Sequence, residues 1–304
     1  MVRIVVRRIA GSSSPVILRR AVVSVTTGEF VHDGHRLTYD DYGAGARPFV
    51  LLPGLLLPRL MHRPLAQALA ERGNRVITLD LLGHGASDRP RDMWRYSMPL
   101  FGEQTVALLD HLELDQAVVG GTSLGANVTL EAAVHAPDRM RGLVIEMPVL
   151  DNALPACGVI FTPLLIGLTF GEPLVRVVTR LAARIPRGLS QLTDVGLEWI
   201  SQDPGPSGSV LQGLFFGRIA PPRTERSRIE ARALVIGHSR DPLHPFSDSD
   251  MLVRELRNGR LLEANSILEM RIAPERLTDE IARFLDECWR EPARTVGDTE
   301  RATA

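Results

Sequence analysis

At 304 residues, with 44% hydrophobic and 23% charged residues, the chain is long enough for one large α/β domain and too apolar for wholesale disorder. The formal net charge of -1 at pH 7 favours neither nucleic acid nor, by the totals, an acidic membrane as a partner. All basic residues are arginine, so no lysine can serve as a base or form a Schiff base, and Cys157 and Cys288 stand outside any metal-ligand spacing; a reducing cytoplasm is the expected setting.

Residues 1–28 carry five of these arginines and no acid before Gly28. They lack the unbroken apolar core of a targeting segment and are expected to form a disordered extension. Residues 29–31 and 36–39, joined through Asp33-Gly34, predict an antiparallel hairpin. Brief apolar runs at 49–52, 76–79, 117–119, 143–145 and 234–236 each end near Gly, Pro or Asp, as strands covered on both faces do. Between them lie helical patterns at 65–72 and 101–114. A last helix, 274–289, stripes Leu277, Ile281, Phe284, Leu285 and Cys288 behind an initial proline. Strand–helix alternation of this kind predicts a mostly parallel sheet wrapped by helices.

The alternation fails over residues 148–229. Residues 154–170 hold no charge, but they are too short for a membrane span and are interrupted by Pro155, Gly158, Pro163 and Gly167. An inserted apolar lid is expected, with Val159, Ile160, Phe161, Leu164, Leu165, Ile166, Leu168 and Phe170 facing a ligand or simply packing the insert. Residues 202–209 read as a loop, and residues 291–304 as a loose polar tail.

Gly121-Thr122-Ser123-Leu124-Gly125 follows the strand at 117–119 and opens a helix through Asn127, Leu130 and Ala133. A sharp strand-to-helix turn lifts a serine hydroxyl clear of the sheet, and its glycines leave the backbone room. The helix amino terminus then offers the Leu124 N–H to developing negative charge. Leu51-Leu52-Pro53-Gly54-Leu55 also ends a strand ahead of a helix, and the Leu55 N–H would be a second oxyanion donor. Asp80 to Asp88, with Gly83-His84-Gly85 inside it, reads as a turn that braces the floor of the site.

These three segments, in this order and spacing, resemble the α/β-hydrolase superfamily. The resemblance covers residues 29–290. It implies an eight-stranded, mostly parallel sheet built from 29–147 and 230–290, a helical cap over 148–229, and a triad in the order serine, acid, histidine. Asp241, in Gly237-His238-Ser239-Arg240-Asp241-Pro242-Leu243-His244-Pro245, matches the acid; Glu146 is the alternative. The family's histidine precedes the Pro-Glu of the final helix. Here that place reads Ser266-Ile267, and no histidine follows His244. Pro53 likewise stands where many relatives carry a histidine. The base is therefore sought elsewhere: His244 if its loop turns inward, otherwise His238, His84, His62 or Glu269.

Three functions remain open on these residues. One is a serine hydrolase acting on a small apolar ester, thioester or lactone through Ser123, Asp241 and His244. The second is a lyase, cyclase or acyl transferase on the same scaffold. The third is a binding protein that has lost its base. No metal or organic cofactor is expected, no membrane span, and no oligomeric state is fixed.

Overall fold

The computed structural model describes residues 5–6, 17–18, 23–188, 190–266 and 268–290. Most of the expected disordered extension, all of the tail at 291–304, and Ile267 lie outside them. Eight strands form the main sheet: β1 (Val25–His32), β2 (His35–Tyr42), β3 (Pro48–Leu52), β4 (Arg75–Asp80), β5 (Ala117–Thr122), β6 (Met140–Glu146), β7 (Ala233–His238) and β8 (Gly259–Ala264). Their spatial order is β8-β7-β6-β5-β3-β4-β2-β1. All pairs are parallel except those of β2, which runs antiparallel to both β1 and β4. A separate antiparallel pair joins Val5–Val6 to Ile17–Leu18.

The hairpin turns where expected. Asp33 and Gly34 both take positive φ, 48° and 75°, the geometry that a tight two-residue turn needs to match strand twist. One boundary shifts. β1 begins at Val25 because Val25, Thr26 and Thr27 pair with Tyr42, Asp41 and Asp40, so four residues of the expected extension belong to the sheet.

Alternation within the strands builds two cores. Val50 and Leu52 of β3 face one side with Phe101 and Leu108 of α2 (Met98–His111) and Ala126 and Leu130 of α3 (Leu124–His135). Phe49 and Leu51 face the other, with Leu65 and Leu69 of α1 (Arg63–Ala70) and the stripe of α11 (Glu275–Arg290). A sheet buried on both faces explains why its central strands read as continuous apolar runs.

Between β6 and β7 stand α4 (Leu154–Phe170), α5 (Glu172–Ala182), α6 (Gln191–Ile200), α7 (Pro204–Phe215) and α8 (Arg223–Arg226). The loop expected at 202–209 is mostly helix. Asp203 caps it by accepting from the Gly205 N–H at 3.2 Å, and Pro204 occupies its first turn. Gly213 allows the helix to touch residues 93–96; a Cβ there would lie 2.4 Å from the Tyr96 carbonyl oxygen. Beyond β7 lie α9 (Phe246–Glu255) and α10 (Glu269–Ile272). Among the described residues, no single helix is long and apolar enough to cross a membrane.

Candidate active site

Ser123 stands between β5 and α3 with φ 56° and ψ -111°, a conformation that L-residues avoid. The surrounding structure holds it there. The Ser123 N–H donates to the Glu146 carbonyl at 2.9 Å, and the Ser123 carbonyl accepts from the Asn127 N–H at 3.1 Å. The flanking glycines answer a packing demand. A Cβ on Gly121 would sit 2.5 Å from the Gly125 backbone, and one on Gly125 would sit 2.2 Å from the Leu52 carbonyl oxygen. Elbow, β3 and α3 are therefore in backbone contact, which no larger residue permits.

The loop after β7 turns inward. The Ser123 hydroxyl lies 2.8 Å from His244 Nε2, and His244 Nδ1 lies 2.8 Å from Asp241 Oδ2. A carboxylate can only accept, so Nδ1–H donates to Asp241 and the serine hydroxyl donates to Nε2. Asp241 also shapes the loop, since its Oδ1 accepts from the Leu243 N–H at 2.8 Å and the His244 N–H at 3.0 Å. Burial works to raise its pKa, but the bonds and charge from His244 and the two N–H groups outweigh it and hold the carboxyl below its usual range.

The other candidates are committed elsewhere. His62 is buried and donates from Nε2 to the Leu52 carbonyl at 2.9 Å. His84 is buried, donates from Nδ1 to the Leu82 carbonyl at 3.0 Å and meets Phe101 edge-on. Burial, helped by Arg271 for His62 and by Arg89 for His84, pushes both rings down to about 4, so both are neutral packing groups at pH 7. His238 donates from Nδ1 to the Ser266 carbonyl at 3.0 Å. Glu269 is tied to the Asn265 N–H and to Arg276. The turn after β4 is pinned by a buried carboxylate. The buried Asp80 carboxylate accepts from the Arg59 and Ala86 N–H groups at 2.6 and 2.8 Å, and Gly85 makes room for it.

Glu146, the alternative acid, serves a different purpose. It lies buried below the elbow and accepts from Thr122 and from Arg271, the latter at 3.1 Å, while His238 Nε2 faces it at 3.5 Å. Burial alone would raise its pKa, but Arg271, His238 and Thr122 together hold it far below the ordinary carboxylate range. A depressed folded-state pKa gives stability that is complete above the ordinary 4.5 and is lost as pH falls through the depressed value. Glu146→Gln is expected to cost about 3 kcal/mol at pH 7 by leaving Arg271 without its counter-charge, and less as the pH falls below 4. Thermal melts of both proteins from pH 3 to 7 check this; parallel melting curves at every pH would exclude the role.

Two further residues carry functions that the sequence did not disclose. Asn127 donates to the Val149 and Ile219 carbonyls at 2.7 and 2.9 Å and accepts from the Val149 N–H at 3.1 Å. It thus clips the elbow helix to both ends of the inserted segment. Asp248, fully buried, accepts from the Leu150, Asn152 and Ala153 N–H groups at 2.7, 3.0 and 3.1 Å and fixes the approach to α4.

A cavity of about 300 Å³ opens beside Ser123 and His244. Leu55 and Leu124 line it, with Phe161 and Leu165 of α4 and Leu211 and Leu214 of α7 among the rest; no aspartate, glutamate or arginine lines it. Only part of the expected lid set faces this space. Leu168 is buried, whereas Val159, Ile160, Ile166 and Phe170 are exposed to solvent. The reason is geometric: a helix apolar all round can turn only one arc toward a site.

A family model described as alpha/beta hydrolase fold matches residues 47–157. The 2-hydroxymuconate semialdehyde hydrolase of Pseudomonas sp. (strain CF600) is 35% identical over 124 residues, 38% of this chain and 41% of that protein. The 3-oxoadipate enol-lactonase 2 of Acinetobacter baylyi (strain ATCC 33305 / BD413 / ADP1) is 31% identical over 109 residues, 36% of this chain and 40% of that protein. The chain therefore spans about two fifths of the length of these curated relatives. In three dimensions, the enol-lactonase from Burkholderia xenovorans LB400 matches with a TM-score of 0.69 over 85% of this chain and 100% of that one; at 21% identity this is a likeness of fold. By sheet order, elbow and the family match over residues 47–157, the chain has the α/β-hydrolase fold.

Proposed function

We propose that this α/β hydrolase cleaves a small uncharged ester, thioester or lactone, with Ser123 as nucleophile, His244 as base and Asp241 as the residue that orients it. The observation that carries the reading is the continuous chain of two 2.8 Å contacts from Ser123 through His244 to Asp241. Ser123 Oγ attacks the acyl carbonyl carbon while its proton passes to His244 Nε2. Asp241 stabilises the imidazolium that forms. The carbonyl oxygen, now an oxyanion, accepts from the Leu55 and Leu124 N–H groups. Collapse expels the alcohol or thiol with the proton from His244, and water, deprotonated by the same ring, then releases the acid. Helices α4–α8 act as the cap, anchored at Asn127 and Asp248. The base sits three residues after the acid on one loop, instead of on the segment before the last helix. The chain of contacts also speaks against a binding protein without a base.

Labelling of the full chain by a fluorophosphonate, lost in Ser123→Ala, tests the nucleophile; failure of the folded protein to label overturns it. The uncharged cavity lining adds a prediction on substrate choice. Each methylene buried contributes about 0.8 kcal/mol, so kcat/KM for straight-chain p-nitrophenyl esters is expected to rise about fourfold per carbon until the cavity is filled. A carboxylate at the end of the acyl chain is expected to abolish that gain, because nothing in the lining pairs with it. A flat series would sink the assignment of this cavity as the acyl site.

A further inference from the structure

The outer side of the inserted helices is apolar where a monomer's surface is ordinarily polar. Phe170 is 82% exposed, Val159 75%, Leu174 73% and Phe216 72%. On α5, Leu174, Val177, Val178 and Leu181 recur at helical spacing, with Ile185 just beyond its end, and all are exposed. These residues form one stripe, flanked by Thr179 and Ala182, which are buried. The helices α4 and α5 meet at a 97° bend, and both pack against α7. Patches of this kind mark interaction sites.

Charge identifies the partner. Between residues 152 and 193 there are four arginines and one acid, Glu172. Glu172 is already paired with Arg176 and with Arg91. Arg180 and Arg184 lie exposed along one edge of the α5 stripe. The net charge of -1 for the whole chain conceals this local excess. An apolar stripe edged by arginine is the arrangement of a helix that lies in a membrane interface. A second copy of this face fits poorly, since a two-fold contact would set these arginines against their own duplicates, and the segment's one acid, Glu172, is already paired with Arg176 and Arg91.

We infer that α5 and the adjoining exposed residues of α4 and α7 dock on a bilayer surface containing anionic phospholipid, without spanning it. The helices α4 and α7 also line the cavity, so docking would bring the apolar acyl site next to a source of apolar substrate. The docking itself does not depend on the hydrolytic reading.

Sedimentation with sucrose-loaded vesicles tests this on the full chain. Binding to mixed phosphatidylglycerol–phosphatidylcholine vesicles is expected, with little to phosphatidylcholine alone and a decline as salt is raised. The pair Arg180→Glu and Arg184→Glu is expected to weaken binding at least tenfold, since each basic side chain near an anionic surface adds about 1 kcal/mol. The pair Leu174→Ser and Leu181→Ser should weaken it similarly. Both variants should retain the wild-type circular dichroism and the wild-type rate on a soluble short-chain ester. No binding by folded wild type, or binding that neither variant weakens, overturns the inference. A dimer in ultracentrifugation that the leucine variant dissociates overturns it in favour of a second copy.

Discussion

His244→Ala is expected to lower turnover of a p-nitrophenyl ester by about 10⁴–10⁶-fold and to abolish fluorophosphonate labelling of Ser123. An unassisted serine hydroxyl is a poor nucleophile at neutral pH, so the loss falls on kcat more than on KM. Among the described residues, none of the other candidate bases is placed to take the proton. His62 and His84 are buried, neutral and bonded to carbonyls of their own floor, and His238 is held by the Ser266 carbonyl. The cost in stability should be modest, about 1 kcal/mol, since two hydrogen bonds at the rim of a cavity are lost and no charge is stranded in the core. Steady-state kinetics, labelling and a thermal melt of the same preparation separate these effects. Wild-type labelling of the variant would remove His244 from the mechanism.

How far the site was legible depends on how local each constraint is. Ser123 could be read because its demands are local: two glycines within two residues, a strand before and a helix after. The packing shows why, as Gly125 admits the Leu52 and Pro53 carbonyls where a side chain would otherwise be. The central strands were legible for a similar reason, because cover on both faces leaves an unbroken apolar run. β8 was not assigned from the sequence. It is an edge strand, Gly259–Ala264, with partly exposed residues and no such run. The order of helices within the insert was also hidden, since α4 is apolar on every side and its pattern cannot say which arc faces the site. For the base, the three-residue separation of Asp241 and His244 was visible, but not the inward turn of their loop. That turn brings together two residues 121 apart in the chain. The bonding roles of Asn127 and Asp248 could not be read from the sequence, because most of their partners are main-chain groups, which leave no trace in residue identity.

Asp241→Asn should reduce turnover by about 10⁴-fold with the loop intact, whereas Asp241→Ala should reduce turnover and loosen the loop as well. The two carboxylate oxygens have separate tasks. Oδ1 accepts from the Leu243 and His244 N–H groups, and Oδ2 accepts from the His244 ring. Asparagine keeps an oxygen for the main chain, so the turn survives. Its amide nitrogen then faces Nδ1 as a donor, which favours the tautomer with the proton on Nε2. In that state Nε2 donates to the Ser123 oxygen and has no lone pair free to take the hydroxyl's proton. Alanine removes both tasks and should lower the melting temperature further than asparagine does. The measurements are kcat for both variants and an NMR reading of the His244 tautomer in the asparagine variant. Equal melting temperatures for the two variants would deny Asp241 its part in shaping the loop. An asparagine variant with near wild-type turnover would deny it the orienting role, and the base would then act without a partner.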